Sequence, residues 1–383
     1  MSNRNLTEVG LILLASIFVA SVCCLLLFVK QENFYWLLGL YSLAFGSYYG
    51  LYRMLPEQKI KWIWVVVILV RLASFFSPPQ LSDDYYRFFW DAKVSESGVS
   101  VYAYTPSEFM NRNPQRFPNG LYQKLNSPDY YSVYPPFLQA HYYVSLQLSD
   151  GSLKSFVQVM RIQFFLVEAL ILLLMYFGLS RKRSWLLYAI NPLVIIELMG
   201  NLHAELFVAA GIILLLLKGK KGLILSTSMI LAVGSKISPI LLFPPTQIHK
   251  KHTFSWIYIT LSLILSILAF YPLWWDLNLG ANFLSSIRLY YQTFEFNGAF
   301  YVILRDLLAM YYGYNPIAIV GPSLQLISAV LILRLYLKST HVDANKIPGL
   351  LIYIWLIYLL FSTTIHPWYL IPAVALLPFH FHW

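Results

Sequence analysis

Residues 60–91 read IKWIWVVVILVRLASFFSPPQLSDDYYRFFWD, an apolar stretch that ends near Phe76 and is followed at once by a charged run. The run Ser82–Asp91 contains three carboxylates and one arginine among aromatic side chains. In a chain with 58% hydrophobic and 11% charged residues, ionisable groups are kept away from lipid unless a site requires them. The pattern predicts a membrane exit here and makes this run the first candidate for chemistry.

The rest of the chain repeats the apolar pattern. Its 383 residues have a mean hydropathy of +0.61, and the apolar runs of about 20 residues are long enough to cross a bilayer core. We predict an all-α fold, a polytopic transmembrane helical bundle that forms one integral-membrane domain over residues 1–383. The first run, Gly10 to Val29, lacks a small-residue cleavage site, so a retained helix is expected. About twelve crossings are predicted, some of them short, near 10–29, 34–54, 60–77, 157–179, 185–199, 204–217, 222–235, 237–248, 254–273, 316–337, 347–362 and 367–379.

The net charge of +10 comes from small basic clusters between the apolar runs. This distribution is typical of cytoplasmic membrane loops and argues against nucleic-acid binding. If both termini are cytoplasmic, all the clusters fall on one side, and the segments 77–156 and 274–315 lie on the opposite, extracytoplasmic face. The first of these is expected to carry short interfacial helices. The clusters are Arg53/Lys59/Lys61, Arg181/Lys182/Arg183, Lys218/Lys220/Lys221, Lys250/Lys251 and Arg334/Lys338/Lys346.

Residues 222–248 could form one long helix or two short ones broken at Gly234-Ser235-Lys236. A single crossing would invert every later loop and place Lys338 and Lys346 on the wrong face, so two short helices are predicted. The two cysteines, Cys23 and Cys24, are adjacent and cannot form an ordinary structural disulfide. Neither metal ligation nor redox chemistry is indicated.

Two adjacent carboxylates at a membrane exit, Asp83 and Asp84, suit a general base, because a nearby like charge and partial burial raise the pKa of a carboxylate. The alternative is a solvated loop start or helix cap. Arg87 would share a helical face with Asp84 and could bind a phosphate, although an ion pair with Asp84 or Asp91 is an equal alternative.

A lysine at a helix break is a second candidate, since a buried ammonium at Lys236 requires an anion such as a lipid phosphate unless it reaches the interface. Arg288 on the outer face is a further phosphate candidate. The turns that contain His203 with Glu205, and His366, could bind a sugar, a phosphate or a metal, or could simply be polar turns. Their spacing matches no metal signature.

Arg71, Arg161, Glu168 and Glu197 lie inside predicted crossings, which keeps a transporter hypothesis open. The chain has no Gly-x-x-x-x-Gly-Lys-Ser/Thr loop and no Gly-x-Gly-x-x-Gly, so a nucleotide site is not indicated.

Several separate motifs resemble, in order, those of GT-C-type polytopic glycosyltransferases, in particular bacterial mannosyltransferases that use polyprenyl-phosphate sugars. The resemblance spans most of residues 80–372. The motifs are Leu81–Asp91, Gly98–Pro106, the Tyr-Pro-Pro element at Val133–Gln139, Asn191-Pro192-Leu193 with Glu197, Gly200–Glu205, Ser235–Pro239, Phe294–Asn297 and His366–Tyr369. Asp91-Ala92 and Ser100-Val101-Tyr102 depart from the family's usual Asp-Gly and Asn-Pro-Tyr, which leaves the acceptor open.

The resemblance implies an inverting transfer of a sugar, most simply mannose, from a polyprenyl-phosphate donor to the hydroxyl of a glycan or glycolipid on the extracytoplasmic face of a bacterial inner membrane. It implies Asp84 as catalytic base, with Asp83 as the runner-up. Other functions left open are a flippase of lipid-linked sugars and a lipid-diphosphate-dependent polysaccharide polymerase or ligase. No cofactor is expected, and dependence on a divalent metal stays open. The implied donor-phosphate residues are Lys236, Arg87 and Arg288, and the implied sugar or acceptor pocket comprises Asp91, His203, Glu205, His366 and Tyr134.

Overall fold

The structure is a computed structural model that describes residues 3–113, 119–218, 222–248, 270–339 and 342–381, with four single positions between 260 and 268. The predicted crossing 254–273 lies mostly outside the described residues, as do the basic residues Lys220, Lys221, Lys250 and Lys251.

Helices account for nearly all regular structure in the described part of the chain, which confirms the predicted all-α class. The only β pairing recorded there is a pair of isolated bridges, from Phe296 and from Asn297 to Thr364. The α-helices are Asn3–Leu27, Phe34–Met54, Ile63–Ala73, Asp84–Glu96, Pro106–Arg112, Asn119–Tyr122, Pro136–Gln147, Leu153–Gly178, Lys182–Ala189, Pro192–Val194, Glu205–Lys218, Gly222–Ser235, Phe243–Ile248, Tyr271–Trp275, Leu277–Gln292, Ala299–Tyr312, Ile317–Ser339, Ile347–Leu360 and Ile371–His380. Short 3-10 helices span Glu57–Trp62, Ser74–Phe76, Ser238–Leu242, Ala344–Lys346 and Pro367–Leu370, and a π-helix spans Ile195–Gly200.

Within the described part of the chain, three helices are long and apolar enough to cross a membrane, namely Glu8–Leu27, Leu153–Gly178 and Ile317–Ser339. Shorter apolar helices of 10–17 residues accompany them at Glu205–Leu217, Leu223–Ser235 and Ile347–Leu360. Their outward side chains are large and hydrophobic, so the helices suit an apolar surrounding. Length, composition and exposure together identify a helical membrane protein.

The helix break predicted at Gly234–Lys236 is present. The helix Gly222–Ser235 ends directly before Lys236, and a 3-10 helix that begins at Ser238 follows it. Short helices also occur in the segment 77–156, as predicted. Four of them, at Asp84–Glu96, Pro106–Arg112, Asn119–Tyr122 and Pro136–Gln147, alternate with irregular chain.

The helix Leu153–Gly178 separates a basic end of the molecule from a polar one. Just beyond its last turn, Lys182 donates to the carbonyl of Leu179, and Arg183 donates to the carbonyl of Arg53, so two predicted basic clusters meet there. Arg161, in the third turn, instead contacts Ser77 and Gly200. The two ends are roughly 25 Å apart at 1.5 Å per residue.

The ionisable residues inside the predicted crossings have partners within the protein. Arg71 forms a buried ion pair of 2.8 Å with Glu168. Arg161 is fully buried and donates to the carbonyls of Ser77, Met199 and Gly200. A buried cation that is satisfied by carbonyl dipoles ties together the segments that carry it. Arg161 thus fixes the start of the segment 77–84 against the turn at 200–205.

Candidate active site

Asp84 is the first residue of the helix Asp84–Glu96, which we call the acidic helix. Carboxylates are favourable at this position because the first amide groups of a helix have no internal partner. Asp84 accepts a hydrogen bond of 3.1 Å from the side-chain amide of Asn126, and its side chain is 23% exposed. Asp83 precedes it, is exposed and makes no side-chain capping bond. Of the two predicted bases, Asp84 is therefore the one that is held in place.

The turn at 200–205 brings a histidine to Asp84. A π-helix ends at Gly200, and Leu202 then adopts a left-handed backbone with φ of +62°. This conformation costs a residue with a β-carbon roughly 1–2 kcal/mol. A hydrogen bond stabilises the turn against this cost: the side-chain oxygen of Asn201 accepts from the amide of Leu81 at 3.2 Å.

His203 lies between two carboxylates. Its Nδ1 is 3.9 Å from Asp84 Oδ2, and its Nε2 is 3.4 Å from Glu197 Oε2. Burial lowers the pKa of His203 well below its usual value, and the positive charge of Lys236 and the nearby His366 lower it further. The imidazole is therefore neutral near pH 7, and these contacts are polar contacts rather than ion pairs.

Lys236 reaches the same place from the helix break. Its ammonium is 2.6 Å from Glu205 Oε1 and 3.5 Å from the centre of the Tyr369 ring. Glu205 is buried at the start of the helix Glu205–Lys218, whereas the Lys236 side chain keeps 30% of its surface exposed. The cation is thus neutralised from inside the protein and open on its other side.

A column of parallel rings closes the site. The His203 ring stacks on Trp368 at 3.7 Å, Trp368 stacks on His366 at 4.4 Å, and His366 stacks on Phe296 at 4.6 Å. The amide of Ile365 donates to the carbonyl of Phe296 at 2.7 Å. The column therefore joins the turn at 200–205, the segment 293–298 and the turn at 363–369.

The charges around Asp84 influence its protonation. Burial raises the pKa of Asp84 above its ordinary value. The hydrogen bond from Asn126 opposes this shift, Glu205 and Asp83 add to it through charge repulsion, and Lys236 opposes it through attraction. Asp84 and Lys236, 152 positions apart in sequence, are thus within electrostatic reach of one another. The carboxylate is a stronger base than an ordinary aspartate.

Arg87 and Asp91 form a separate buried network. The Arg87 Nε donates to Asp91 Oδ1 at 2.8 Å, and its two terminal nitrogens donate to the carbonyl of Tyr130. Asp91 Oδ2 accepts from Ser132 and Gln139. In this arrangement both predicted site residues hold the segment 127–139 against the acidic helix, and neither side chain is open to a ligand.

We predict that Asp91→Asn destabilises the protein by about 3 kcal/mol, because it leaves the buried Arg87 guanidinium without its carboxylate. Thermal unfolding in detergent measures the loss. Glu96→Gln is the matched control, since the pair of Glu96 with Lys93 on the same helix is partly exposed and its removal should change stability by less than about 1 kcal/mol. Equal melting temperatures for both variants would contradict the bracing role of Asp91.

The other two predicted site residues, Arg288 and Tyr134, have other surroundings. Arg288 is exposed on the helix Leu277–Gln292. The carbonyl of Tyr134 accepts from the Tyr102 hydroxyl at 2.6 Å, and its ring packs at 5.1 Å from Phe88. Tyr134 thereby belongs to the packing behind the acidic helix.

Three residues at the site were not among the predicted site residues. Glu197 could have been found from its position four residues before Asn201 inside an apolar run, where its Oε2 accepts from Asn201 at 3.0 Å. Trp368 lies inside the His366–Tyr369 motif, but nothing in the sequence indicates that its ring stacks on His203. Asn126 has no distinguishing sequence signal, because only the folded chain brings it to Asp84. Among the described residues, no group of three His, Cys, Asp or Glu side chains is placed to hold a metal ion.

The apolar helices identify a helical membrane protein, and the polar cluster at one end of them, which combines a carboxylate with a cation, is its candidate site. The chain belongs to the MptA_B family, because the family model described as alpha-(1->6)-mannopyranosyltransferase, N-terminal domain, matches residues 11–249. The match confirms the resemblance to mannosyltransferases and identifies the protein as a glycosyltransferase. Searches among curated proteins and solved structures found no match.

The matched range includes Asp84, His203, Glu205 and Lys236, whereas His366 and Trp368 lie beyond it. A mannosyltransferase requires a mannose donor and an acceptor as partners. The stacked rings show that the later segment closes onto residues of the matched part. Both parts of the chain therefore contribute to one site.

Proposed function

We propose that the protein transfers mannose from a polyprenyl-phosphate donor to an acceptor hydroxyl with inversion, with Asp84 as general base and Lys236 as the ligand of the donor phosphate. One observation carries the proposal: a partly exposed cation and a basic carboxylate lie around the same turn, next to neutral His203. Transfer from a phosphate ester needs these two groups, one for each side of the anomeric carbon.

In the proposed reaction Asp84 takes the proton of the acceptor hydroxyl while its oxygen attacks the anomeric carbon. The bond from that carbon to the phosphate oxygen breaks, and the electron pair leaves with the polyprenyl phosphate. Lys236 stabilises the negative charge that develops there. Because inversion converts a β-linked donor into an α-linked product, the α linkage in the family description supports a β-mannosyl phosphate donor.

Glu205 acts in this proposal as a stand-in anion. It neutralises Lys236 at 2.6 Å before donor binds, and the donor phosphate then replaces or shares that contact. Lysine has three donors on one ammonium, so a phosphate can approach from the exposed side. The aromatic column with His203 and His366 would shape the sugar pocket.

The proposed topology has about twelve crossings, several of them short. The site then faces the extracytoplasmic side of a bacterial inner membrane, with the segments 77–156 and 274–315 on that face. The meeting of Arg53 with Arg183 at the opposite end of the helix Leu153–Gly178 supports this orientation, because basic clusters favour the cytoplasm. Residues 1–383 would form a single domain.

Incubation of purified protein with polyprenyl-monophosphate mannose and synthetic α-mannosides tests the proposal. We expect a product one hexose heavier by mass spectrometry, with loss of the lipid-linked sugar. Polyprenyl-diphosphate sugars should give no product, which separates a polymerase or ligase from the proposed enzyme. Protein in vesicles that moves the lipid-linked sugar across the bilayer without a new glycosidic bond would instead indicate a flippase.

We predict an acid limb in the pH profile of kcat/KM that lies above the ordinary aspartate pKa of about 3.9, because the base is active only when ionised. Activity should fall as the pH drops through the raised pKa of Asp84. Asp83→Asn removes a neighbouring negative charge and should move the limb to lower pH, with little change in the rate at neutral pH. A limb that does not move would show that Asp84 is not the group that titrates.

A further inference from the structure

The imidazole of His203 is fixed in place between Asp84 and Glu197. Its ring stacks on Trp368 at 3.7 Å with an angle of 16° between the two planes. Its backbone amide donates to the carbonyl of Glu197 at 3.0 Å. The two ring nitrogens therefore face different carboxyl groups, with Nδ1 at 3.9 Å from Asp84 Oδ2 and Nε2 at 3.4 Å from Glu197 Oε2.

Glu197 is buried in the π-helix Ile195–Gly200, a rare geometry that is frequent at functional sites. The Asn201 oxygen accepts from the amide of Leu81, so the Asn201 nitrogen is the atom that donates to Glu197 Oε2 at 3.0 Å. His203 Nε2 is buried and makes no aligned hydrogen bond among the described residues. Because a buried nitrogen without a partner costs free energy, the Glu197 carboxyl group is the partner available to it.

The two carboxyl groups differ in their surroundings. Asp84 is partly exposed, accepts a hydrogen bond from Asn126 and is attracted by Lys236, all of which support its ionised form. Glu197 is buried, and within the described part of the chain no ion pair joins it to a lysine or an arginine. A buried carboxyl group without a cation takes the neutral form. The proton of the neutral imidazole therefore belongs on Nδ1, which faces the charged group, and Nε2 can accept from Glu197.

We infer that Glu197 is a positioning residue for the base: it donates to His203 Nε2 and so keeps the ring proton on Nδ1, from where His203 donates to Asp84. The inference rests on the proposed transfer reaction, because the arrangement serves catalysis only if Asp84 is the base. The 3.9 Å separation is longer than a hydrogen bond, and such catalytic contacts often tighten when substrate binds. A carboxylate accepts several hydrogen bonds, so the acceptor hydroxyl still has access to Asp84.

The donation from His203 favours the ionised form of Asp84 and therefore influences the pH at which activity is lost. Other charged and titratable groups act on the same three residues and are not altered when Glu197 is replaced. They are Asp83, Glu205 and Lys236 around Asp84, Lys236 and His366 around His203, and Glu205 and Tyr41 around Glu197. A change in the acid limb on replacement of Glu197 therefore reports the state of His203.

Glu197→Met removes the donor to His203, and Glu197→Gln is the matched control because its amide can still donate to Nε2. The acid limb of kcat/KM should move to higher pH by about one pH unit in the Met variant and stay in place in the Gln variant. Above the limb, the kcat of the Met variant should return close to that of the unaltered protein, with an unchanged donor KM. A purely structural defect would instead lower the rate at every pH.

An unmoved limb in the Met variant, or an equal rise in both variants, would overturn the inference. So would a limb that moves to lower pH in both, because the loss of a negative charge near Asp84 has that effect and Glu197 would then be ionised. Should the protein transfer no mannose at all, solid-state NMR of the histidine ring nitrogens in lipid bilayers still decides, with the His203 signal identified by its loss in His203→Asn. A protonated Nδ1 that persists in the Gln variant and is lost in the Met variant supports the inference, and a protonated Nε2 in the unaltered protein contradicts it.

Discussion

Asp84→Asn should lower kcat about 1000-fold while the protein remains folded and inserted. Asparagine keeps the shape of the side chain and can still contact Asn126, but it cannot accept the proton of the acceptor hydroxyl. Because the side chain is the first in its helix and partly exposed, the loss of its charge should cost little stability. The measurement is mannose transfer at saturating donor and acceptor, with melting in detergent as the check on folding.

Asp83→Asn is the control for this experiment. It removes a carboxylate from the neighbouring position, and its side chain is exposed and makes no capping bond. At neutral pH it should retain most of the activity. If the Asp83 variant is inactive and the Asp84 variant is active, the assignment of the base is reversed, while a proposal of mannose transfer would stand.

The polar side chains at the candidate site could be identified from the sequence, because they occupy equivalent places in the pattern of apolar runs and basic clusters. Asp84, His203 and His366 each follow the end of an apolar run, on the face that the charge pattern predicts to be opposite the basic clusters. Turns on one face of a membrane protein are confined to a thin layer, so these residues have few places to go. The charge pattern is therefore consistent with the proximity of these side chains in the structure.

The hydrogen-bond partners of Arg87 could not all be predicted from the sequence. Its spacing from Asp84 correctly places it in the same helix, and an ion pair with Asp91 was one alternative. What excludes it from a ligand is the segment 127–130, whose carbonyls accept from the guanidinium. The fold of such a segment depends on contacts across 40 and 43 positions, which no local pattern specifies.

The pairing of Lys236 with Glu205 also could not be predicted from the sequence. A lysine at a helix break predicted that an anion would be required, and a lipid phosphate was the expected one. The structure shows that a carboxylate 31 positions earlier already meets that need. Both residues were named as site residues, but for different ligands. Their contact is the basis for the proposed exchange of the Glu205 carboxylate for the donor phosphate.

Lys236→Met should lower kcat/KM for the donor about 100-fold, because a charge-assisted contact with phosphate contributes roughly 1.5–3 kcal/mol. The variant also leaves Glu205 buried without its cation, so a loss of stability could mimic a loss of binding. The double variant Lys236→Met with Glu205→Gln removes both charges. It should recover stability and remain about 100-fold impaired.

Glu205→Gln alone should change donor binding in the opposite direction, and it completes the test of anion exchange. With no carboxylate to displace, the Lys236 ammonium is free for phosphate, so the KM for the donor should fall below that of the unaltered protein. If Glu205 instead serves only to position Lys236, the same change should raise the donor KM. A double variant with full activity would exclude Lys236 from the mechanism, because that variant has no cation at position 236.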